Sequence, residues 1–290
     1  MAAIAIFCPN SINIVAGING LEVGQSIIIA SLIILNDVIY LYLSPLAASS
    51  APFFPHPHPA TDSHLFSLYF LLPFLGVSLA LFAHNRYPAR VFVGDTYCYF
   101  AGMIFAIIGI LGHFSKTLLL LFIPQIFNFI YSAPQLFHLI PCPRHRLPHF
   151  NPRTGLLEPS FTRISKQLPS PSPINRYFAA AIMGPLKLLA KLRLIAIRST
   201  TGFSEDVAVT TDYNHSNGNA SGKLKSNGRG SEQVTEISNL TILNLWLVWF
   251  GPMREDRLAR GLLLAQLACG LLGLLIRHRL ALYVFTEDNL

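Results

Sequence analysis

The chain has 290 residues, 52% of them hydrophobic and only 12% charged, with a mean hydropathy of +0.48; soluble domains carry about a quarter charged residues, so water is not the main solvent of this one. A net charge of +7 and a pI near 9.4 would suit nucleic acid, but Lys and Arg gather beside apolar runs without interleaved aromatics, which argues for positive-inside topology and anionic lipid and against that partner. Cys8, Cys98, Cys142 and Cys269 stand far apart with no CxxC pair and no His at zinc spacing, so neither a structural metal nor a disulfide framework is indicated.

The first eight residues are apolar, lack a basic leader and read as the last turns of a helix rather than a signal peptide. Five apolar runs follow that suit a hydrocarbon core of about 30 Å: 27–43, 65–83, 97–111, 117–140 and 261–276. The first contains Asn36 and Asp37, and the fourth contains Pro124 and Pro134, which membrane helices tolerate when neighbours satisfy the freed groups. Residues 44–63 carry no Lys or Arg and mark the outer face. Residues 144–198 carry ten, against the single acid Glu158, and should face the cytosol. Within them, 174–197 mixes apolar residues with spaced Lys and Arg and suits a helix lying in the interface. Residues 199–238 are rich in Ser, Thr, Asn and Gly and are expected to be mobile; 240–250 suggests a second interfacial helix. The expected organisation is a membrane core at 1–148, a basic loop at 149–198, a mobile polar loop at 199–238, and an interfacial helix with the last span at 239–290.

Three sequons begin at Asn214, Asn219 and Asn239; in a cytosolic loop none would be glycosylated. The Arg277-His278-Arg279 run after the last span is a short exception to the charge rule. His56 and His58, alternating with proline, make a poor metal site, and His113 reads as an interfacial polar residue.

Three polar clusters stand out. Asn10 to Gly20 (NSINIVAGING) precedes the first span, Phe92-Val93-Gly94-Asp95 precedes the third, and Pro141-Cys142-Pro143-Arg144-His145-Arg146 follows the fourth. An even number of crossings separates each pair, so all three share one face and could assemble one site. Asp95 and Asn13 offer hard oxygens of the kind Mg²⁺ takes in small number while keeping waters and phosphates. Arg144 and Arg146 supply forked donors for phosphate or sugar hydroxyls. Gly17 and Gly20 allow close backbone approach, and Phe92 offers an aromatic face for a base. Taken singly, each has a plainer reading: Asp95-Thr96 as a helix cap, Asn13 and Asn19 as turn residues, Arg-His-Arg as a snorkelling cluster. Jointly they suit a nucleotide diphosphate with a metal.

The strings NSINIVAGINGLEVGQS, RVFVGDTYCYFAGM, FAIIGILGHFSK and LIPCPRHRLP closely resemble the polyprenyl-phosphate N-acetylhexosamine-1-phosphate transferases, in particular the eukaryotic members that use dolichyl phosphate. The resemblance runs from Asn10 to about Pro148 and resumes weakly at 240–276. It implies an all-α polytopic membrane fold, here about five transmembrane helices equivalent to the C-terminal half of a family fold of about ten, plus interfacial helices. It implies that Asn13 and Asp95 ligate Mg²⁺, that Gly17, Asn19 and Phe92 hold uracil, that Arg144 contacts the pyrophosphate, and that His145 and Arg146 contact the sugar, with Asn10 also at the site.

The implied reaction moves GlcNAc-1-phosphate from UDP-GlcNAc to dolichyl phosphate at the endoplasmic reticulum membrane, the first step of N-glycan assembly. Such transfer is mainly positioning and charge neutralisation. A phosphate oxygen is already ionised at neutral pH, which favours a binding role for His145 over that of a base. The family's first half carries an Asp-Asp motif that this sequence lacks. The expectation is therefore a truncated chain, inactive alone, whose partners are UDP-GlcNAc, dolichyl phosphate, membrane lipid and either the missing half or a second copy. The alternative is a non-catalytic membrane subunit that associates with an intact enzyme. A nucleotide-sugar transporter would call for internal repeats, and none is seen.

Overall fold

A computed structural model describes residues 1–48, 59–112, 114–138, 140–164, 191, 193–201 and 233–280. The chain is a mostly helical polytopic membrane protein. It divides into two units, residues 1–160 with 239–290, and residues 161–238.

In the first unit the helices are α1 (Ala2–Ile14), α2 (Leu21–Ala48), α3 (Pro59–Asn85), α4 (Asp95–Leu111), α5 (Ser115–Leu121), α6 (Ile123–Leu136), α7 (Ile242–Phe250) and α8 (Glu255–Leu275), the last continuing as a π-helical turn, Ile276–Leu280. Among the described residues α2, α3 and α8 are long and apolar enough to cross a bilayer. The expected span at 117–140 is two helices, α5 and α6, which together are long and apolar enough to cross a bilayer but meet at 70°. Pro124 accounts for the break: it has no N–H for the Leu120 carbonyl and its ring crowds that carbonyl. The apolar helix α4 is shorter than a full span.

Where α1 crosses α4, Gly102 faces the backbone of Cys8 and Pro9 so closely that any Cβ would collide with it. Cys8, Ile12, Ala101 and Phe105 fill the surrounding core with Ile29 and Ile33 of α2 and Phe122 at the α5–α6 bend. A second apolar cluster, including Val15, Ile18, Leu21, Leu157, Leu243, Leu247, Leu258 and Leu262, lies under the polar end of the bundle.

Polar side chains inside hydrocarbon must find partners, and three groups do so here. Gln125 of α6 donates to Oε1 of both Gln25 of α2 and Gln266 of α8, at 2.8 and 2.7 Å; Gln25 in turn donates to the Ile12 and Val15 carbonyls, at 3.1 and 2.9 Å. Along α6, Asn128, Ser132 and Gln135 continue a fully buried polar stripe. They accept from Ile242 N at 2.8 Å, donate to Leu240 O at 2.6 Å, and accept from Leu240 N at 2.7 Å while donating to Asn239 Oδ1 at 3.0 Å. At the other end of α2, Asp37 Oδ1 lies 2.7 Å from His64 Nδ1 of α3, and Tyr40 stacks on that ring.

After α6 the chain forms a hairpin, β1 (His149–Asn151) with β2 (Leu156–Glu158), turning at Gly155 with φ +67°. Leu157 exchanges backbone hydrogen bonds of 2.8 and 3.2 Å with Met253 just before α8.

Among its described residues the second unit contains a three-stranded antiparallel sheet, β3 (Phe161–Ile164), β4 (Ile197–Thr201) and β5 (Gln233–Ser238), with β5 in the middle. Glu236 of β5 lies opposite Arg163 and Arg198, a favourable cross-strand charge pattern, and Arg198 sits 4.3 Å above the Phe161 ring. The two ends of the polar stretch are therefore strands, built from β-branched residues alternating with polar ones. The rest of that stretch, most of the expected interfacial helix at 174–197, His56, His58, His113 and the sequons at Asn214 and Asn219 lie outside the described residues. Asn239 is inside: it is buried, donates to Ser160 Oγ at 2.8 Å and accepts from Gln135, so its amide is engaged in the folded chain.

Gly102→Ala is expected to push α1 off α4 and lower stability by roughly 1–3 kcal/mol, the cost of overpacking a close contact. Gly76→Ala, at a position with open space around it, is the control, and thermal unfolding in detergent should show a lower midpoint for the first and none for the second.

Candidate functional site

The end of α1 and the turn after it are shaped by their own sequence. Asn10 and Asn13 lie one helical turn apart, and Asn10 Nδ2 caps the Ile6 carbonyl at 2.7 Å. Gly17 at φ +107° and Gly20 at φ +82° adopt backbone that L side chains rarely take, reversing the chain from α1 into α2. The amides of this turn are taken up by side chains from three helices. Gly17 N donates to Glu22 Oε1 at 2.8 Å, Asn19 N to Glu255 Oε1 at 2.6 Å, and Gly20 N to Asn85 Oδ1 at 3.0 Å.

The loop from Pro141 to Arg146 is held from below. Asn244 of α7 donates to the Arg146 carbonyl at 2.9 Å, and its Oδ1 accepts from Ser160 N at 2.9 Å. Leu147 follows at once, and its side chain lies over Gly17 where a Cβ would be.

These two segments enclose a cavity of about 320 Å³ lined by Asn10, Asn13, Ile14, Ala16, Gly17, Arg144, His145, Arg146, Leu147, Thr241 and Leu243. Six of the nine residues expected at a site are thus brought together: Asn10, Asn13, Gly17, Arg144, His145 and Arg146. The Arg146 Nη1 atom is buried with no partner among the described residues, a donor available to an anionic or hydroxylated ligand. The other three lie apart from this cavity. Asn19 lines a neighbouring one of about 370 Å³ between α3 and α8, with Arg86, Tyr87 and Arg260. Asp95 is exposed in the first turn of α4, and Phe92, 88% exposed, leads into it.

Asn13 and Asp95 have no hydrogen-bond or ion-pair partner among the described residues, and each carries a hard oxygen of the kind Mg²⁺ takes. No group of three or more His, Cys, Asp or Glu is placed to hold a metal among the described residues. Chemically, the cavity offers guanidinium donors, amides and an imidazole, while a carboxylate at the start of α4 and an exposed aromatic ring just before it lie apart.

Sequence reasoning did not find Glu22, Asn85, Glu255, Asn244 or Thr241. The first four act through hydrogen bonds over long sequence separations, apart from the local Gly17–Glu22 bond, and no spacing in the sequence announces them. Glu22, two residues past the glycine-flanked turn in a helix with no other acid in its first turn, had the one usable local signal.

Residues 1–113 match glycosyl transferase family 4. The chain is 50% identical over 291 aligned positions to a Saccharomyces cerevisiae protein named UDP-N-acetylglucosamine–dolichyl-phosphate N-acetylglucosaminephosphotransferase, an alignment covering 100% of this chain and 54% of the relative. The Schizosaccharomyces pombe protein of that name is 45% identical, with 100% and 55% covered. The Dictyostelium discoideum one is 59% identical over 155 residues, 53% of this chain and 38% of the relative. The chain therefore spans about half the length of the curated relatives that match it end to end.

Gly17→Ala is expected to destabilise the chain by about 1 kcal/mol or more, because positive φ and the Leu147 side chain both oppose a Cβ. Gly155→Ala, with φ +67° but open space, carries only the backbone part. A larger drop in unfolding midpoint for Gly17→Ala, partly recovered by adding Leu147→Ala, is the expected reading.

Proposed function

The chain belongs to glycosyl transferase family 4, and on that premise we propose that it forms the nucleotide-sugar side of an enzyme that transfers GlcNAc-1-phosphate from UDP-GlcNAc to dolichyl phosphate. The observation that carries the reading is the cavity that gathers Asn10, Asn13, Gly17, Arg144, His145 and Arg146, with an unpartnered buried guanidinium nitrogen on Arg146.

In this reading an oxygen of dolichyl phosphate attacks the β-phosphorus of UDP-GlcNAc. A new P–O bond forms, the bond to the UMP oxygen breaks, and its electron pair leaves with UMP, giving GlcNAc-pyrophosphoryl-dolichol. Arg144 neutralises charge on the pyrophosphate, while His145 and Arg146 hold the sugar hydroxyls. Gly17 and Asn19 approach the uracil through backbone and amide, and the exposed Phe92 ring offers a stacking face. Asn13 and Asp95 would hold Mg²⁺, which when bound supplies charge neutralisation at the bridging phosphates. No nucleophile of the chain's own is needed. His145 binds rather than abstracts a proton, since the attacking phosphate is already ionised.

The site faces the cytosol of an endoplasmic reticulum membrane in this reading. Support comes from the charge asymmetry between residues 144–198, with ten Lys or Arg, and residues 44–63, with none.

Membranes carrying the chain should bind radiolabelled UDP-GlcNAc in a Mg²⁺-dependent manner, competed by UDP and UMP but not by GDP-mannose. Arg144→Ala is expected to weaken binding about tenfold, as for a lost charged hydrogen bond. Asp95→Ala should remove the Mg²⁺ dependence; binding that stays Mg²⁺-dependent in that variant would overturn the metal assignment.

A further inference from the structure

Asn85 is the last residue of α3, 3% exposed, and belongs to none of the three polar clusters. Its Oδ1 accepts the Gly20 amide at 3.0 Å and its Nδ2 donates to the Val91 carbonyl at 2.9 Å. One side chain therefore ties the glycine turn that carries Gly17 and Asn19 to the segment that carries Phe92 and Asp95. The partners assign the amide's orientation, because an N–H needs an acceptor and a carbonyl needs a donor.

We infer that Asn85 is a positioning residue that locks these two segments together so that both close on one nucleotide. The inference rests on the nucleotide-binding reading of those segments given above.

The chemistry of the position is narrow. An aspartate keeps the acceptor for Gly20 and loses the donor for Val91; an aliphatic residue loses both. There is little slack, since a Cβ at Gly20 would stand 3.3 Å from the Arg86 Cα and 3.3 Å from the Phe82 ring. The segment beyond α3 is folded back by the Arg90 amide, which donates to the His84 carbonyl at 2.8 Å and returns Val91 to Asn85. Glu22 and Glu255 also brace the glycine turn, but each reaches only that turn. The Asn85 amide is the link with a hydrogen bond to each segment. Without it, the backbone flanking Asn19 and that flanking Phe92 lose this shared anchor, and a ligand that needs both must order them.

The test is hydrogen–deuterium exchange on the detergent-solubilised chain as wild type, Asn85→Leu and Asn85→Asp, each with and without UDP-GlcNAc. Without ligand, Asn85→Leu should raise exchange in peptides covering 17–20 and 91–94, and Asn85→Asp in 91–94 only. With ligand, both segments should be protected together in the wild type, and affinity should fall about fivefold in Asn85→Leu, which loses both hydrogen bonds, with Asn85→Asp intermediate. Unchanged exchange at either segment in the ligand-free Asn85→Leu chain overturns the coupling, and so does a rise spread evenly over the whole unit. Absence of ligand protection in the wild type would instead sink the nucleotide reading, while the ligand-free comparison still decides whether Asn85 couples the segments.

Discussion

A chain reversal between two helices leaves amides outside any helical ladder, and the structure around the candidate site depends on how that need is met. The turn from Gly17 to Gly20 has no regular partner for its N–H groups. Three are accepted by Glu22, Glu255 and Asn85, which arrive from α2, α8 and α3. An unmet amide in such a place costs about 1–3 kcal/mol, so the turn is both the most demanding piece of backbone and the point where three helices are tied together. Two of the cavity's lining residues are placed against it: Asn13 on the helix that enters the turn and Leu147 lying over Gly17.

The same requirement explains the polar residues inside the bundle. Gln25, Gln125 and Gln266 meet at one buried point, and the spare donor of Gln25 goes to the carbonyls of Ile12 and Val15 at the end of α1. The α6 stripe does for residues 239–242 what the glutamines do for α1: Asn128, Ser132 and Gln135 satisfy the backbone as the chain returns to the bundle from the second unit. Two of the segments that border the cavity are thus held by amides from within the bundle, and the third, at Arg146, by Asn244 of α7.

How far the site could be read in advance depends on where its signals lie. Arg144, His145 and Arg146 sit together in the chain, as do Asn10, Asn13 and Gly17, and the alternation of spans predicts one face for both groups; in the structure they line one cavity. Asp95 and Phe92 belong to the same face by the same argument, but facing the same side does not make residues line the same wall: Asp95 opens α4 and Phe92 lies on the segment before it. That segment is bonded to the glycine turn by Asn85, a residue with no motif around it. The α5–α6 bend was visible as Pro124, yet a proline in a membrane helix is tolerated or not according to its neighbours. Strands β4 and β5 were hidden because a few alternating residues inside a polar stretch carry little pattern of their own.

The amino-acid sequence by itself determined the solvent, the helical class and the chemistry of the polar clusters, because hydrophobic run length, charge asymmetry and residue type are local properties. Only the tertiary structure decided which clusters meet in one cavity, which donor is left free on Arg146, and which side chains serve the amides of the glycine turn. Those outcomes turn on hydrogen bonds between residues as far apart as Asn19 and Glu255. Pairings at such separations are set by how the helices pack, and no periodicity along the chain encodes them.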